Sequence, residues 1–246
     1  MHNRSVLVRI EVFGVRSNGQ AWTSAPGERP LLAVGDSFVF GADSQDAETW
    51  PAQLERRLGA HVLNGGVSGY GVDQTYLRAV ALCRRLRPRV LLVGVAPDDV
   101  RRCGLSVRGE PKPWFEPQAN GGLVLRGDPV PQRSMRFFRT FTASGAEAEV
   151  VAARLVPLFR PLAPRVLFVL YAHPEQDARQ LDAVRTAARR SDVPVLDLAG
   201  KIAASKYAGD LDSHFNADGN RAVAAAVAGA LGEPPRGWTV LNSATF

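Results

Sequence analysis

Five short, continuous apolar runs alternate with longer helix-like segments, and this alternation constrains the fold more than any other feature of the chain. The strand-like runs are Pro30 to Val34, His61 to Leu63, Val90 to Val95, Val166 to Tyr171 and Val193 to Leu198. The helical segments are Trp50 to Leu58, Gln74 to Leu86, Ala146 to Phe159, Glu175 to Arg190 and Ala217 to Leu231. Strands that alternate with helices form a parallel sheet covered on both faces, and uninterrupted apolar runs suit strands buried on both sides. We therefore predict a three-layer α/β/α sandwich around a mainly parallel, five-stranded sheet.

Length and composition fit one globular domain with flanking segments. The chain has 246 residues, of which 46% are hydrophobic and 22% are charged, so one sizeable core is available. We assign residues 30–232 to this domain, residues 1–29 to an N-terminal hairpin or extension, and residues 233–246 to a C-terminal tail. Residues 103–135 are rich in proline and glycine and too long for an ordinary connection. They are predicted to form a lid-like insertion.

Charge and cysteine content exclude several classes of function. The net charge is +6, but the arginines are scattered without interleaved aromatic residues, so we predict no nucleic-acid partner. Cys83 and Cys103 show no metal-ligand spacing, and we predict neither a disulfide framework nor a metal or other cofactor. No apolar run approaches the roughly 20 residues of a membrane span, and the start of the sequence does not resemble a signal peptide. The expected location is the cytoplasm.

One apolar run, LLAVGDSFVFGAD from Leu31 to Asp43, breaks on Gly35, Asp36 and Ser37. In an open parallel sheet, ligands bind outside the carboxyl ends of the strands, and this break falls at such an end. Gly35 permits a tight turn there. By itself the pattern favours a helix-capping serine over a nucleophile.

Four ordered blocks resemble those of the SGNH (GDSL) hydrolase family. They are GDSFVFGAD followed by ETWPAQLERRL, then VLNGGVSGYGVDQTYL, PRVLLVGVAPDDV and LDSHFNADGNRAVA, and the similarity runs from about Leu31 to Leu231. The resemblance implies the flavodoxin-like SGNH hydrolase fold and a serine hydrolase activity. The Asp-x-His spacing of the last block resembles SGNH proteins that act on the acyl groups of polysaccharides.

The resemblance also implies roles for individual residues. Ser37 matches the nucleophile, His214 the general base and Asp212 the acid that orients the base, with Asp210 as the fallback for that acid. The backbone amides of Ser37 and Gly69 match two donors of the oxyanion hole. The chemistry requires these types, because a serine hydroxyl is a weak nucleophile until an oriented imidazole takes its proton.

The third block departs from the family pattern. Asp98 stands where an asparagine amide usually completes the oxyanion hole, and an ionised carboxylate cannot donate a hydrogen bond. Either Asp98 is protonated, or the hole has two donors, or the reaction is not ordinary ester hydrolysis. Further candidate substrate contacts are Asp36, Asp99, Trp114, Phe115 and His173.

The leading hypothesis is a serine esterase or deacylase that forms an acyl-serine intermediate. Its partner would be a small-molecule or glycan acyl ester, because the insertion mixes Trp114 and Phe115 with charged residues such as Lys112 and Arg126. An acyltransferase that uses the same serine chemistry is one alternative. A non-catalytic binding domain on the same fold is another, and Asp98 is the reason to consider it.

Overall fold

Nine strands and seven α-helices make up the computed structural model, which describes residues 6–20, 27–127, 145–208 and 214–232. The strands are Leu31–Val34 (β1), Val62–Asn64 (β2), Val90–Val95 (β3), Val107–Arg108 (β4), Glu110–Pro111 (β5), Trp114–Pro117 (β6), Leu123–Arg126 (β7), Arg165–Leu170 (β8) and Val195–Asp197 (β9). The helices are Ser37–Phe40 (α1), Trp50–Leu58 (α2), Val72–Leu86 (α3), Pro97–Arg102 (α4), Gly145–Phe159 (α5), Leu181–Arg190 (α6) and Ala217–Leu231 (α7). No helix in these ranges is long and apolar enough to cross a membrane.

The central sheet has the strand order β2-β1-β3-β8-β9, and all of its strands are parallel. Leu31 of β1 pairs with Val62 on one side and with Val90 on the other. The order therefore reverses at β1, and the crevice beside its carboxyl end is where such sheets bind ligands. The predicted five-stranded parallel sheet is confirmed.

Both faces of the sheet are covered, which is why its strands are mostly apolar. Leu32 and Val34 face a core built with α3, α5 and α6, whereas Leu31 and Ala33 face a core built with α2 and α7. All four side chains of β1 are fully buried. This burial explains the continuous apolar runs from which the sequence predicted the three layers.

One predicted helix boundary is wrong. The helix expected from Glu175 begins at Leu181, as α6. The Asp177 side chain accepts a hydrogen bond from the Arg179 amide at 3.0 Å, a local turn that competes with helix formation. The chain between β8 and α6 is therefore a loop, which lies at the carboxyl edge of the sheet.

The insertion predicted at residues 103–135 is described as far as residue 127. It contains two antiparallel hairpins, β4 with β5 and β6 with β7. Residues 128–135 and the predicted tail 233–246 lie outside the described residues. In the N-terminal segment, Ile10 and Arg16 form an isolated antiparallel bridge.

A buried ion pair anchors the insertion to α3. Lys112 Nζ donates to Asp73 Oδ2 at 2.5 Å and to the carbonyl oxygen of Leu105 at 2.8 Å. Burial raises the pKa of Asp73, and the Lys112 charge opposes this shift. Nearby, Phe115 is buried with its ring 6.1 Å from that of Tyr76. A buried ion pair and a buried aromatic side chain thus attach the insertion to the core.

Replacing Lys112 by methionine should leave Asp73 buried without its cation. We expect the free energy of unfolding at neutral pH to fall by about 3 to 5 kcal/mol, as when one partner of a buried ion pair is removed. The loss should shrink on acidification. A buried acid whose folded-state pKa is raised contributes most stability below its unfolded pKa of about 3.9 and loses it as the pH rises. Urea denaturation at neutral and mildly acidic pH measures both effects.

The matched control is Arg126→Met in the same insertion. Arg126 pairs with Glu116 at 2.7 Å, but both side chains are exposed, so the expected cost is about 0 to 1 kcal/mol. Equal unfolding midpoints for the two variants would contradict the anchoring role of Lys112.

Candidate active site

A cavity of about 520 Å³ opens at the carboxyl ends of the central strands. The loops after β1, β2, β3 and β8, the insertion and the segment before α7 all contribute to it. Its lining residues are Asp36, Ser37, Phe38, Ala42, Ser68, Gly69, Ala96, Asp98, Arg102, Arg108, Gln176 and His214. The structure therefore brings together Ser37, Gly69, Asp98 and His214, which lie far apart in the sequence.

Gly35 lets the chain turn sharply from β1 into α1. A Cβ atom at this position would lie 2.8 Å from the carbonyl oxygen of Gly94 in β3, too close for any larger residue. Asp36 is the N-cap of α1, because its Oδ1 accepts a hydrogen bond from the Phe38 amide at 3.0 Å. Capping is thus done by Asp36, and the Ser37 hydroxyl makes only a long hydrogen bond of 3.4 Å to Asp36 Oδ2.

His214 lies just before α7 and contacts a carboxylate from a distant part of the chain. Its Nδ1 is 2.6 Å from Oδ2 of Asp43, in the loop after α1. The Phe38 ring packs edge-on against the imidazole, with centroids 5.1 Å apart. Asp212 and Asp210, the acids that the sequence placed beside His214, lie outside the described residues.

Arg16 fixes the loop that carries Asp43. Its guanidinium is buried and donates to the carbonyl oxygens of Phe40, Gly41 and Ser44 at 2.7, 2.5 and 2.5 Å. Its Nε also pairs with Asp46 Oδ1 at 3.2 Å. Burial lowers the pKa of Arg16, and the Asp46 carboxylate opposes that shift.

Asn220 of α7 joins this loop to the histidine segment. Its Nδ2 donates to Ser44 Oγ at 3.0 Å and to the carbonyl oxygen of Phe215 at 3.4 Å. Its Oδ1 accepts from the Trp50 amide at 2.9 Å. One buried amide therefore couples the residue after His214 to the loop after the candidate nucleophile.

The ionised Asp98 side chain lacks the N–H donor with which an asparagine would stabilise an oxyanion. Its carboxylate pairs with Arg101, and its Oδ2 lies 3.6 Å from Arg102 Nη2. The Asp98 side chain remains 39% exposed. Two arginines and solvent thus surround this carboxylate at the edge of the cavity.

Arg102 links the ends of three strands. It donates to Asp99 Oδ1 at 2.8 Å, to the Tyr70 carbonyl at 3.0 Å and to Asp36 Oδ2 at 3.4 Å. Asp99 is buried, and its Oδ2 also accepts from the Ala96 amide at 2.8 Å. Burial and then the neighbouring Asp36 charge raise the pKa of Asp99 well above its usual range, while Arg102 opposes them. Asp99 and Arg102 therefore belong to the frame of the site.

Four of the predicted substrate contacts are not among the described residues that line the cavity. Asp99 is buried in the frame just described, and Phe115 packs in the core under the insertion. Trp114 pairs with Arg126 in the β6–β7 hairpin. His173 is buried with its ring 4.7 Å from that of Tyr207. Phe115 anchors the insertion through apolar burial, a role that the sequence did not distinguish from substrate contact.

The sequence analysis missed two residues that line the cavity, Arg108 and Gln176, and one beside it, Asp43. Asp43 ends the quoted run LLAVGDSFVFGAD, and its carboxylate near a candidate serine was the available clue. Arg108 packs on Gly69 so closely that a Cβ atom there would overlap its Nη1. Burial and then the Arg102 charge lower the pKa of Arg108, and the charges of Asp36 and Asp99 oppose that shift. Nothing in the sequence placed Arg108 or Gln176 at this edge of the sheet.

Several solved structures have similar folds. TesA is 16% identical, with a TM-score of 0.55, and the match covers 81% of this chain and 96% of that chain. Axe2, an acetylxylan esterase from Geobacillus stearothermophilus, is 18% identical, with a TM-score of 0.51 and coverage of 84% and 94%. LAE5, an alpha/beta hydrolase enzyme from the metagenome of Lake Arreo, Spain, is 19% identical, with a TM-score of 0.53 and coverage of 88% and 97%. The sheet and its helices thus form the SGNH hydrolase fold.

The fold and the serine-containing edge define a hydrolase of the GDSL/SGNH class, one that acts on ester bonds. More particularly, residues 33–222 match the GDSL-like Lipase/Acylhydrolase family, and the chain belongs to that family. No curated protein matches the chain significantly.

Proposed function

We propose that the protein is a serine esterase that hydrolyses the O-acyl ester of a sugar, a glycan or another small polar metabolite through an acyl-serine intermediate. The observation that carries this proposal is that Ser37 and His214 line one cavity, with the Nδ1 atom of His214 held by a carboxylate. An imidazole fixed in this way is the base that a serine nucleophile needs.

The reaction proceeds by two acyl transfers. Ser37 Oγ attacks the ester carbonyl carbon while its proton passes to His214 Nε2. The tetrahedral intermediate then expels the alcohol, which takes that proton from His214. In the second half, water attacks the acyl-serine, gives one proton to His214 and releases the acid. The histidine returns that proton to Ser37 Oγ, so the enzyme ends as it began.

The backbone amides of Ser37 and Gly69 would stabilise the oxyanion of each tetrahedral intermediate. Asp98 faces the same cavity, but its carboxylate is paired with arginines, and in the ionised form it has no proton to donate. We therefore assign the oxyanion hole two backbone donors and a nearby negative charge. This arrangement lowers turnover without preventing it.

The cavity favours a small, polar substrate. Its volume of about 520 Å³ is within the usual range for small-molecule sites, and most of its lining side chains are polar. The fold neighbour Axe2 is an acetylxylan esterase, which supports an acylated glycan as one substrate class. Arg108 adds a guanidinium cation to the lining of the cavity, so we propose that the preferred ester also carries a negative charge.

Replacing Ser37 by alanine should abolish hydrolysis of p-nitrophenyl acetate and labelling by a fluorophosphonate, because both require attack by the serine oxygen. The loss should be roughly 10⁴-fold or more. Mass spectrometry of the labelled wild-type protein should place the adduct on Ser37. Full activity in the alanine variant would contradict the proposed nucleophile.

Replacing Asp98 by asparagine should raise kcat for p-nitrophenyl acetate by about tenfold. The change removes a negative charge beside the developing oxyanion and adds an amide donor. A single donor contributes roughly 100- to 1000-fold to the rate in a site built around it, so we expect a smaller gain here. Steady-state kinetics of both forms measure the effect. Unchanged activity and an unchanged pH profile would show that position 98 takes no part in the chemistry.

Replacing Arg108 by alanine should lower kcat/KM for mono-p-nitrophenyl succinate by roughly 10- to 100-fold, the usual value of a hydrogen bond to a charged group. The neutral acetate ester should be hydrolysed as before. Arg126→Ala, in the same insertion but away from the cavity, is the matched control and should leave both substrates unaffected. Equal losses on both esters would instead place Arg108 at the oxyanion.

A further inference from the structure

The carboxylate bonded to His214 comes from a part of the chain that the sequence analysis did not connect with it. Asp43 lies 171 residues before His214, and its Oδ2 is 2.6 Å from His214 Nδ1. This distance is short even for a charge-assisted hydrogen bond. Within the described ranges, His214 is the group to which Asp43 bonds. Asp43 does not line the cavity, so it reaches the substrate only through the imidazole.

The chemistry of the two groups fixes the tautomer of the histidine. An ionised carboxylate can only accept hydrogen bonds, so the proton between Asp43 and His214 belongs to Nδ1. In the neutral imidazole, the lone pair is then on Nε2. That atom is the one that must accept the proton of Ser37 during attack. The contact with Asp43 therefore selects the basic form of His214 that the reaction uses.

The loop that carries Asp43 is held rigidly enough for this task. Arg16 binds the carbonyl oxygens on both sides of Asp43, at Gly41 and Ser44. Asn220 in turn bonds to the Ser44 hydroxyl and to the carbonyl oxygen of Phe215, the residue after His214. Both members of the pair are thus fixed by buried side chains, although the Asp43 side chain itself is 55% exposed.

We propose that Asp43 is the positioning residue that orients His214 and stabilises its protonated form during catalysis. Nδ1 can carry only one proton, and the Asp43 carboxylate, 2.6 Å away, is placed to accept it. The inference rests on the proposed serine esterase function. It assigns to the loop after the nucleophile a role that the family resemblance gives to Asp212.

Replacing Asp43 by asparagine keeps the size of the side chain and removes its charge. We expect kcat for p-nitrophenyl acetate to fall by at least about 100-fold, because the analogous change in a serine triad costs up to ~10⁴-fold. KM should stay within about twofold, since Asp43 does not line the cavity. Asp43→Glu, which retains the carboxylate, should recover part of the loss. Asp212→Asn should lose less than Asp43→Asn.

Asp218→Asn is the matched control. Asp218 lies four residues after His214, is exposed and pairs with Arg221 and Lys206, so the same change of charge near the site should leave kcat and KM unaltered. Circular dichroism and the urea midpoint of each variant check that it folds.

A second measurement reports the hydrogen bond without relying on activity. An imidazole proton shared with a carboxylate resonates far downfield in the proton NMR spectrum. We expect one such signal in the wild-type protein, absent from His214→Ala and from Asp43→Asn but present in Asp212→Asn. Its loss in Asp212→Asn together with its retention in Asp43→Asn would overturn the proposal. So would an Asp43→Asn enzyme that keeps more than about half of the wild-type kcat.

The two proposals fail in different ways. If the wild-type protein shows no hydrolysis that depends on Ser37, the esterase function is overturned, and the role of Asp43 in catalysis falls with it. If Ser37-dependent hydrolysis is present but Asp43→Asn retains both the rate and the downfield signal, only the role of Asp43 is overturned.

Discussion

A single buried guanidinium organises the site. Arg16 comes from the segment before the first strand, yet its donors satisfy three carbonyl groups of the loop that follows α1. Without Arg16, the buried carbonyl oxygen of Ser44 would lose its donor at a cost of about 1 to 3 kcal/mol, and the carbonyl oxygens of Phe40 and Gly41 would keep only their bonds from Asn64 and from the Ser44 amide. The Asp46 carboxylate balances the charge. The candidate nucleophile on one side of this loop and Asp43 within it both depend on that compensation.

Two frames of polar side chains support the cavity from opposite sides. Arg102 ties together groups at the ends of β1 and β3 and the loop after β2, whereas Asn220 ties the loop after α1 to the segment that carries His214. The insertion is attached separately, through Lys112 and the buried ring of Phe115. Because each frame is fixed within the core, the groups that line the cavity are held in place before any substrate binds. Such preorganisation favours stabilisation of a transition state.

The layers of this fold could be predicted because strands buried on both faces appear in the sequence as continuous apolar runs that alternate with helical segments. Trp50–Leu58 and Ala217–Leu231 form helices with the predicted bounds, and the order of the blocks placed Ser37, Gly69 and His214 at one edge. Pairs of side chains that lie far apart in the sequence produce no such pattern, so they could not be predicted. In the sequence, Asp43 cannot be told from an ordinary loop residue, because only the structure places His214 beside it. Lys112 likewise cannot be told from a surface lysine, because only the structure shows its contact with Asp73. The start of α6 was mispredicted because the turn at Asp177 depends on one side-chain bond.

The bond from Asn220 to Ser44 spans 176 residues of sequence and has a consequence for the order in which the molecule matures. During synthesis the N-terminal strand and its serine emerge long before α7 does. A nascent chain therefore carries the candidate nucleophile without the proposed base, since His214 lies just before α7, the helix that packs against α2. Closing so long a loop is slow compared with forming local contacts. The onset of ester cleavage in a refolding or translation experiment would accordingly mark the docking of α7. Incomplete chains that lack α7 would show no ester cleavage.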